Sequence, residues 1–401
     1  MVAQLDTKDL MFEEMTNALY MVFVEDMYIS KALMKIFKNH KEWSNQEKGY
    51  FSDTIYDIVR YWRLLWYLLK KEQSFEKNDL LQLIDVFIFY KEKKTSQSHM
   101  NYNDLKNSLN LIKDVRVLRE SIPDWLDSIG TNEFGKRWDS IIKALNKKPL
   151  MVIRTNTLKC TTEKLVALLQ CEGICSEKKE NVKDALVIKE EGNIFRLESF
   201  QKGLFEQQSY SSQMVSIFLD VKPGMRIIDV CAGQGSKTLH LVALMENKGK
   251  IIAMDTAEWK LKELKRRAVK AGAENIEIRP IDSSKTYKRL KGTADRLLLD
   301  VPCSGLGTLR RNPDIKWKLT LLDLKRLKEL QRRLLERYYI LLKRGGRMVY
   351  SVCSILPSEG EMQVKDFLER HKNDFRLIKE KRYWPDTDDT DGFYIALIEK
   401  I

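Results

Sequence analysis

The spacing of hydrophobic residues changes along the chain and predicts three regions. Residues 1–120 repeat apolar side chains at helical spacing, which predicts an all-α domain. Residues 121–220 contain short apolar, β-branched runs, for example at 150–155 and 194–197, together with helical patterns, which predicts a small α+β region. Strand and helix patterns then alternate over 221–401, as in an α/β domain with a parallel sheet covered on both faces.

The longest helix of the third region is predicted at 323–342. Thr320 and Asp323 form a capping box at its start, because each side chain can accept a hydrogen bond from the backbone amide of the other residue. Gly345-Gly346 follows this pattern and is expected to end the helix. A polar loop is predicted at 91–98, in the first region.

Length and composition narrow the class of protein. The chain has 401 residues, of which 43% are hydrophobic, and this excludes a wholly disordered protein. It lacks a signal-peptide pattern at its start and any apolar run near the roughly 18 residues that span a bilayer, so we expect a cytoplasmic protein. The cysteines are therefore expected to be reduced thiols. Cys171 and Cys175 form a C-x3-C pair without a second pair at ligand spacing, so we expect no metal site.

The chain carries a strong positive charge. It contains 70 Lys and Arg residues against 57 Asp and Glu residues, which gives a formal net charge of +13. Such a surface attracts polyanions such as nucleic acids, although a merely soluble basic protein shares this property. Residues 310–347 hold thirteen basic residues against four acids, and we expect this stretch to contact phosphates.

Two cysteines and an acid follow predicted strands of the third region. Asp300 and Cys303 come directly after a strand pattern at 294–299, and Cys353 comes directly after one at 347–351. Since the carboxyl ends of parallel strands border one crevice of an α/β sheet, we expect the acid and both thiols to meet there. Free cysteines are often small core residues, and this is the competing interpretation.

A glycine-containing turn at 231–237 separates the first strand of this domain from its first helix. The turn matches neither the G-x-G-x-x-G pattern nor a phosphate-binding loop of the Walker type. In doubly wound folds an acid after a neighbouring strand binds ribose hydroxyls, and acids follow four successive strands here. Each acid alone could be a solvated strand-end residue, but together they indicate a nucleoside-bearing cofactor. These acids are Asp229, Asp255, Asp282 and Asp300.

Two motifs carry a family resemblance. Residues 300–314 with Lys316-Trp317, and residues 350–354, resemble the two cysteine signatures of the RNA 5-methylcytosine methyltransferases of the Sun/NOL1/NOP2 type. The chain is most similar to the RsmB-like bacterial branch, which acts on 16S ribosomal RNA, and the likeness covers nearly its whole length. The resemblance implies a Rossmann-like, S-adenosylmethionine-dependent methyltransferase domain at 221–401. Before it, the resemblance implies a small α+β region and an all-α, NusB-like domain that binds RNA.

The resemblance also implies the roles of the catalytic residues. Cys353 is the expected nucleophile, which adds as a thiolate to carbon 6 of the target cytosine and makes carbon 5 reactive. Asp300 is expected to contact ring nitrogen N3 and to stabilise the charge that develops on the ring. Cys303 is expected to assist release of the methylated product. The target base must reach these groups, so we expect it to be unpaired or flipped out of its stack.

S-adenosylmethionine is the cofactor that the resemblance implies. Asp255 is expected on the ribose, Asp282 near the adenine and Asp300 near the methionine end. The other expected cofactor-binding residues are those of the turn, Cys231, Ala232, Gly233, Gln234, Gly235, Ser236 and Lys237. This turn departs from the family pattern, since Gly-Gln-Gly-Ser replaces Ala-Pro-Gly-Gly, and Val352 replaces a threonine beside Cys353. Every chemically reactive side chain of the family motifs remains.

RNA is the expected partner, with 16S ribosomal RNA as the substrate and a monomer as the expected form of the enzyme. Two alternatives stay open at this point. One is the same chemistry on transfer RNA, and the other is an RNA-binding ribosome-assembly factor that has lost catalysis. The second alternative predicts that Cys353 or Asp300 is missing, and both are present. A nicotinamide-dependent dehydrogenase is disfavoured by the sequence of the turn and by the cysteine pair.

Overall fold

Contacts divide the chain into two compact units. The structure is a computed structural model and describes residues 7–92, 102–179, 182–189 and 193–401. One unit combines Met1–Lys147 with Leu309–Leu319, and the other combines Lys148–Thr308 with Thr320–Ile401. The chain therefore passes between the units three times. Beyond residue 92, the polar loop predicted at 91–98 lies outside the described residues.

The first unit is helical, as the apolar spacing of the first region predicts. Phe23 stacks on Trp62 with ring centroids 3.9 Å apart, and Trp62 is 2% exposed, so aromatic packing forms the centre of the bundle. A capping box between Ser44 and Glu47 fixes the start of the third helix. The helices are α1 Thr7–Phe23, α2 Ile29–Asn39, α3 Asn45–Arg60, α4 Trp62–Leu69, α5 Lys77–Glu92, α6 Tyr102–Leu111, α7 Arg116–Arg119, α8 Asp124–Phe134 and α9 Trp138–Leu145.

A four-stranded antiparallel sheet opens the second unit, with the order β2-β3-β1-β4. Its elements are β1 Met151–Thr155, α10 Thr162–Cys171, β2 Ser176–Lys178, β3 Ala185–Ile188, α11 Glu198–Gln201 and β4 Phe205–Gln207. The strand predicted at 194–197 is wrong, because Ile194–Arg196 forms a 3-10 turn in which the Phe195 amide donates to the side chain of Asn193. Asn156 donates hydrogen bonds to the carbonyls of Gly203 and Ala271, both at 2.8 Å, and so joins this sheet to the following α/β part.

A seven-stranded sheet of the Rossmann type forms the rest of the second unit, which confirms the α/β prediction. Its order is β10-β11-β9-β8-β5-β6-β7. Strands β5, β6, β7, β8 and β9 are parallel, and β11 pairs antiparallel with both β9 and β10. The elements are α12 Tyr210–Phe218, β5 Arg226–Asp229, α13 Ser236–Leu244, β6 Lys250–Asp255, α14 Glu258–Ala271, β7 Ile276–Pro280, α15 Ser284–Lys288, β8 Ala294–Asp300, α16 Ile315–Lys318, α17 Leu321–Tyr338, β9 Leu342–Val352, α18 Glu361–Arg370, β10 Phe375–Tyr383 and β11 Phe393–Lys400. No described helix combines the length and apolarity needed to cross a bilayer.

The long helix α17 begins as predicted but ends early. Thr320 accepts a hydrogen bond from the Asp323 amide at 3.2 Å, and the Asp323 carboxylate accepts one from the Thr320 amide at 3.1 Å, so the capping box is confirmed. The helix stops at Tyr338, and Gly345-Gly346 lies inside β9. The glycines serve strand pairing rather than the helix end, since a Cβ at Gly346 would approach the Ala294 carbonyl to 3.0 Å.

Residues 309–319 belong to the helical unit although they continue the first cysteine signature. The guanidinium of Arg60 donates to the carbonyls of Leu309 and Arg310, at 3.2 and 2.9 Å, and Lys316 donates to the Arg60 carbonyl at 2.8 Å. Trp317 donates to the Val59 carbonyl at 2.7 Å. These contacts explain why hydrophilic motif residues are buried in a helical core.

The burial of this segment corrects the interpretation of the basic stretch at 310–347. Arg310 and Lys316 are 2% and 1% exposed and hydrogen-bonded to backbone carbonyls, so these two cations are not available to phosphates. Burial, followed by the nearby charge of Arg60, lowers the pKa of Lys316 well below its usual range. Part of the local charge excess is therefore structural.

The contact division differs from the predicted limits of the regions in two places. Helices α8 and α9, which the sequence pattern assigned to the second region, lie in the helical unit. The small antiparallel sheet clusters with the Rossmann-type sheet in one unit. The limits at 120 and 220 remain predictions, because they follow changes of sequence pattern rather than contacts.

Candidate active site

Four neighbouring parallel strands end at one edge of the large sheet. Strands β6, β5, β8 and β9 are adjacent in that order, and Asp255, Asp229 and Asp300 are the last residues of the first three. Cys353 follows the last residue of β9 directly. The sheet thus brings the predicted acids and the second cysteine to the edge where α/β folds bind ligands.

The two thiols lie side by side. The sulfur atoms of Cys303 and Cys353 are 3.3 Å apart, and both residues are partly exposed. The Gly307 amide donates to the Cys353 carbonyl at 3.0 Å, which joins the two loops. The contact with Cys353, followed by burial, raises the pKa of the Cys303 thiol well above its usual range, so Cys303 is protonated at neutral pH. The arrangement disfavours two unrelated core cysteines.

An ion pair stands beside the thiols. The Lys237 ammonium is 2.6 Å from Oδ2 of Asp300, and the Ser351 hydroxyl donates to Oδ1 at 2.8 Å. Burial opposes the charge on Lys237, but the carboxylate of Asp300 and the proximity of Cys353 outweigh it and raise the pKa of Lys237. Positive charge therefore lies next to the predicted nucleophile, and Asp300 is held as an acceptor on both oxygens.

The glycine turn and Asp255 support each other. Asp255 accepts hydrogen bonds from the amides of Gly233 at 2.9 Å and Ala257 at 2.8 Å. Gly233 and Gly235 have φ angles of +53° and +86°, in the left-handed region that favours glycine. A Cβ at Gly235 would come within 1.8 Å of the Leu264 side chain, whereas one at Gly233 would meet nothing within 4 Å. Open space therefore lies against Gly233, beside a carboxylate that keeps free acceptor positions.

The remaining predicted cofactor residues differ in their burial and in their contacts. Ala232 is buried and Gln234 is exposed, with its carbonyl accepting from Arg267 at 2.8 Å. Burial, followed by the charge of Asp229, raises the pKa of the Cys231 thiol well above its usual range. Asp282 is exposed and accepts a 2.7 Å hydrogen bond from Thr286, which lowers its pKa. Asp282 follows β7 as predicted, but no hydrogen bond among the described residues links its side chain to the other acids.

Asp229 is a buried acid behind the turn. It is 1% exposed and accepts a 2.8 Å hydrogen bond from the Thr238 hydroxyl on one oxygen. The other oxygen has no partner of good geometry among the described residues. Burial raises the pKa of Asp229 to about 7, above its ordinary value of 3.8. The folded protein therefore favours the protonated form, and this form is lost as the pH rises through about 7.

Asp229→Asn is expected to remove part of the pH dependence of stability. An acid with a raised pKa contributes stability at low pH that disappears as the pH rises, and asparagine mimics the protonated acid at every pH. Between pH 5 and pH 8.5 the free energy of unfolding of the variant should improve relative to the natural protein by about 3 kcal/mol. Denaturant unfolding of both proteins at several pH values measures this difference, and parallel pH profiles would contradict it.

Sequence comparisons match these regions to known families. Residues 216–399 match the family described as 16S rRNA methyltransferase RsmB/F, and residues 122–195 match the ferredoxin-like domain of RsmF/B-like methyltransferases. The ribosomal RNA small subunit methyltransferase B of Serratia proteamaculans is 35% identical over 288 residues, which are 70% of this chain and 66% of that protein. A methyltransferase homologue from Pyrococcus horikoshii is 30% identical, with a TM-score of 0.64, over 72% of this chain and 98% of that chain. This chain belongs to the RsmB/F family of 16S rRNA methyltransferases.

A solved structure resembles the chain over nearly its whole length, including the helical unit. The crystal structure named PH0851 is 26% identical to the chain, with a TM-score of 0.82, and covers 97% of this chain and 98% of that one. The match to that structure therefore includes the helices before the small sheet. The chain spans slightly under two thirds of the length of the Serratia relative.

Several residues of this RsmB/F site were not predicted from the sequence. Glu359 and Gln331 are fully buried beside the cysteine loops, and Glu359 accepts hydrogen bonds from Ser304 and Ser354. An acid or amide in a polar stretch is normally exposed, so the sequence pattern did not select either residue. The one feature of the sequence that could have drawn attention to Glu359 is its position five residues after Ser354, which directly follows the predicted nucleophile Cys353.

Proposed function

We propose that this RsmB/F protein is an S-adenosylmethionine-dependent RNA (cytosine-C5)-methyltransferase that acts on 16S ribosomal RNA. The observation that carries the proposal is the pair of thiols 3.3 Å apart beside the Lys237–Asp300 ion pair, at the carboxyl edge of the parallel sheet. A non-catalytic assembly factor has no need of this arrangement. The family membership supports the same conclusion.

The residues of the turn fit S-adenosylmethionine. The space against Gly233 admits a ligand, and Asp255 presents a carboxylate, which can accept from both hydroxyls of a ribose. The carboxyl group of Asp300 suits the methionine end, which carries an ammonium group. When bound, this cofactor supplies an electrophilic methyl group on a sulfonium. Asp282 is proposed at the adenine end, because it follows β7, the next strand outward from β6.

Cys353 is proposed to activate the cytosine by adding its sulfur to carbon 6. A thiolate is the reactive form of a cysteine nucleophile, and the ammonium of Lys237 interacts electrostatically with Cys353. The electron pair of the carbon 5–carbon 6 bond moves toward carbon 4 and displaces the carbon 4–N3 pair onto N3. N3 takes a proton from Asp300 as Asp300 receives one from the ammonium of Lys237, 2.6 Å away, so the developing charge is neutralised. Carbon 5 becomes electron-rich and accepts the methyl group.

Cys303 is proposed to assist the final elimination. A base removes the proton from carbon 5, the electron pair restores the carbon 5–carbon 6 double bond, and the bond from carbon 6 to the Cys353 sulfur breaks. Cys303 remains protonated and lies 3.3 Å from the departing sulfur, so it can donate a hydrogen bond to the thiolate that forms. The two thiols thus have different proposed tasks.

Exposed arginines on α17 and α18 support an RNA substrate. A cavity of about 530 Å³ is lined by Tyr287, Arg332, Arg333, Glu336, Arg337 and Arg370. Four arginines against one acid form a surface that suits phosphate groups. Glu336 is already paired with Arg370 and His371, so it neutralises little of the charge of Arg332 and Arg333. This cluster, rather than the buried cations of 309–319, is the proposed phosphate-contacting part of the basic stretch.

Bisulfite mapping tests the proposed function directly. The purified protein is incubated with S-adenosylmethionine and with unmethylated 16S ribosomal RNA, either free or in partly assembled small subunits, and with transfer RNA in parallel. We expect one protected cytosine in ribosomal RNA and none in transfer RNA. Protection only in transfer RNA would support the alternative substrate, and the absence of protection in every RNA would support the assembly-factor alternative. Binding of S-adenosylmethionine but not NAD is expected in the same preparation.

A further inference from the structure

Glu359 is an acid that is completely buried next to the thiol pair. It lies in the turn before α18 and is 0% exposed. Its Oε1 accepts from the Ser304 amide and from the Gln331 side chain, both at 2.9 Å. Its Oε2 accepts from the hydroxyls of Ser304 and Ser354, both at 2.5 Å. Since a carboxylate offers about four acceptor positions, every position of Glu359 is used.

The hydrogen bonds of Glu359 join the two cysteine loops at equivalent places. Ser304 directly follows Cys303, and Ser354 directly follows Cys353. Each serine hydroxyl also accepts a hydrogen bond from the backbone amide two residues further on, at 3.3 Å in the first loop and 3.1 Å in the second. Each serine therefore fixes the turn after its own cysteine, and the single carboxylate of Glu359 holds the two turns together.

The carboxylate is itself held from two sides. Gln331 on α17 donates both to Oε1 of Glu359 and to the carbonyl of Pro302, the latter at 3.0 Å. The Tyr350 hydroxyl, from the end of β9, donates to the backbone carbonyl of Glu359 at 2.7 Å. A helix and a strand thus fix the acid, and the acid in turn fixes the loops. Packing alone does not require this arrangement.

Energetics favour a geometric role over a stabilising one. Removing a carboxylate from water is costly, and apolar residues of similar volume often fill such a position with equal or better stability. We infer that Glu359 is a positioning residue, which sets the 3.3 Å spacing between the sulfurs of Cys303 and Cys353. Its consequence for methyl transfer rests on the proposed function, whereas the spacing of the thiols can be measured without any RNA.

Glu359→Gln tests the inference in the full-length protein. The substitution keeps the shape of the side chain but replaces one acceptor oxygen by an amide donor. The two hydrogen bonds that this oxygen accepts are therefore lost. The readout is the equilibrium of a Cys303–Cys353 disulfide in glutathione buffers, quantified by peptide mass spectrometry. The two thiols lose two protons and two electrons, and one glutathione disulfide is reduced to two glutathione molecules. We expect the effective concentration of the two thiols to fall at least about tenfold.

Val364→Ala is the matched control. Val364 lies on α18, is 2% exposed and does not hydrogen-bond the carboxylate, so its truncation lowers stability without changing the cluster. In methylation assays we expect kcat to fall about 10- to 100-fold for Glu359→Gln, with an unchanged KM for RNA, because small displacements of reacting groups have effects of this size. For Val364→Ala we expect the same kcat and the same disulfide equilibrium as for the natural protein.

The outcomes separate this inference from the proposed function. A shifted disulfide equilibrium in Glu359→Gln supports the positioning role, even if the natural protein methylates no RNA and the proposed function fails. An equilibrium within about twofold of both the natural protein and Val364→Ala overturns the positioning role, whatever the activity. If Glu359→Gln does not fold, Ser354→Ala is used instead, because it removes one of the hydroxyl donors to Glu359. A fall of about tenfold in the effective concentration of the thiols supports the positioning role, and a value within about twofold of the natural protein overturns it.

Discussion

Replacing Cys353 by alanine is expected to abolish RNA methylation, with a loss of rate on the order of 10⁴-fold or more, as for the removal of other covalent nucleophiles. The sulfur of Cys353 is the group proposed to make carbon 5 of cytosine reactive, and no other thiol of the site substitutes for it. Cys303, its neighbour at 3.3 Å, is held protonated and is therefore a poor nucleophile. Transfer of a labelled methyl group to RNA measures the loss.

The control for this prediction is a second cysteine outside the site. Cys171 is exposed on α10, and Cys171→Ala is expected to retain natural activity. Binding of S-adenosylmethionine to Cys353→Ala should stay within about twofold of the natural value, because Asp255 and the glycine turn are unchanged. Full turnover by Cys353→Ala would remove the basis of the proposed mechanism.

Replacing Cys303 by alanine is expected to have the opposite signature, the accumulation of a covalent protein–RNA adduct. Cys353 can still add to the base and the methyl group can still be transferred, but the thiol that stabilises the departing sulfur is missing. Elimination therefore becomes the slow step. The adduct should appear as a band of reduced mobility in a denaturing gel that contains labelled RNA, and its yield should depend on S-adenosylmethionine.

The double variant identifies the sulfur that forms this adduct. Cys303→Ala combined with Cys353→Ala is expected to give no adduct, and the single Cys353→Ala variant is expected to give none either. An adduct that survives in the double variant would show that another residue carries the bond. Rapid product release by Cys303→Ala, at the natural rate, would refute the assisting role of Cys303.

The position of the reactive groups was accessible to sequence reasoning because it depends on chain topology. Asp300 and Cys353 follow neighbouring parallel strands, β8 and β9, and this is enough to bring them to one edge of the sheet. The capping box of α17 was likewise predictable, because it involves residues three positions apart. Regular, local features of this kind can be predicted from the spacing of residue types along the chain.

Features that depend on distant partners were not accessible in the same way. The buried position of Glu359 is stabilised by donors from three other segments, and polar residues in sequence give no sign of burial. The sequence did not show that Lys237 pairs with Asp300, because Asp300 lies 63 residues further along the chain and only the fold brings the two side chains into contact. Gly345-Gly346 looked like a helix stop, but the close approach of β8 decides its place in a strand.

Residues 309–319 and residues 1–147 are distant in sequence but fold into one unit, so they are expected to evolve together. Trp317 packs against the core of the helical unit, and the buried side chain of Arg60 at the end of α3 donates to the carbonyls of Leu309 and Arg310, so substitutions in the helices and in this segment affect each other. A chimaera that takes residues 1–147 from one relative and the remainder from another therefore mixes two halves of one helical core. Exchange of the amino-terminal part between relatives should be planned with the eleven residues of this segment included.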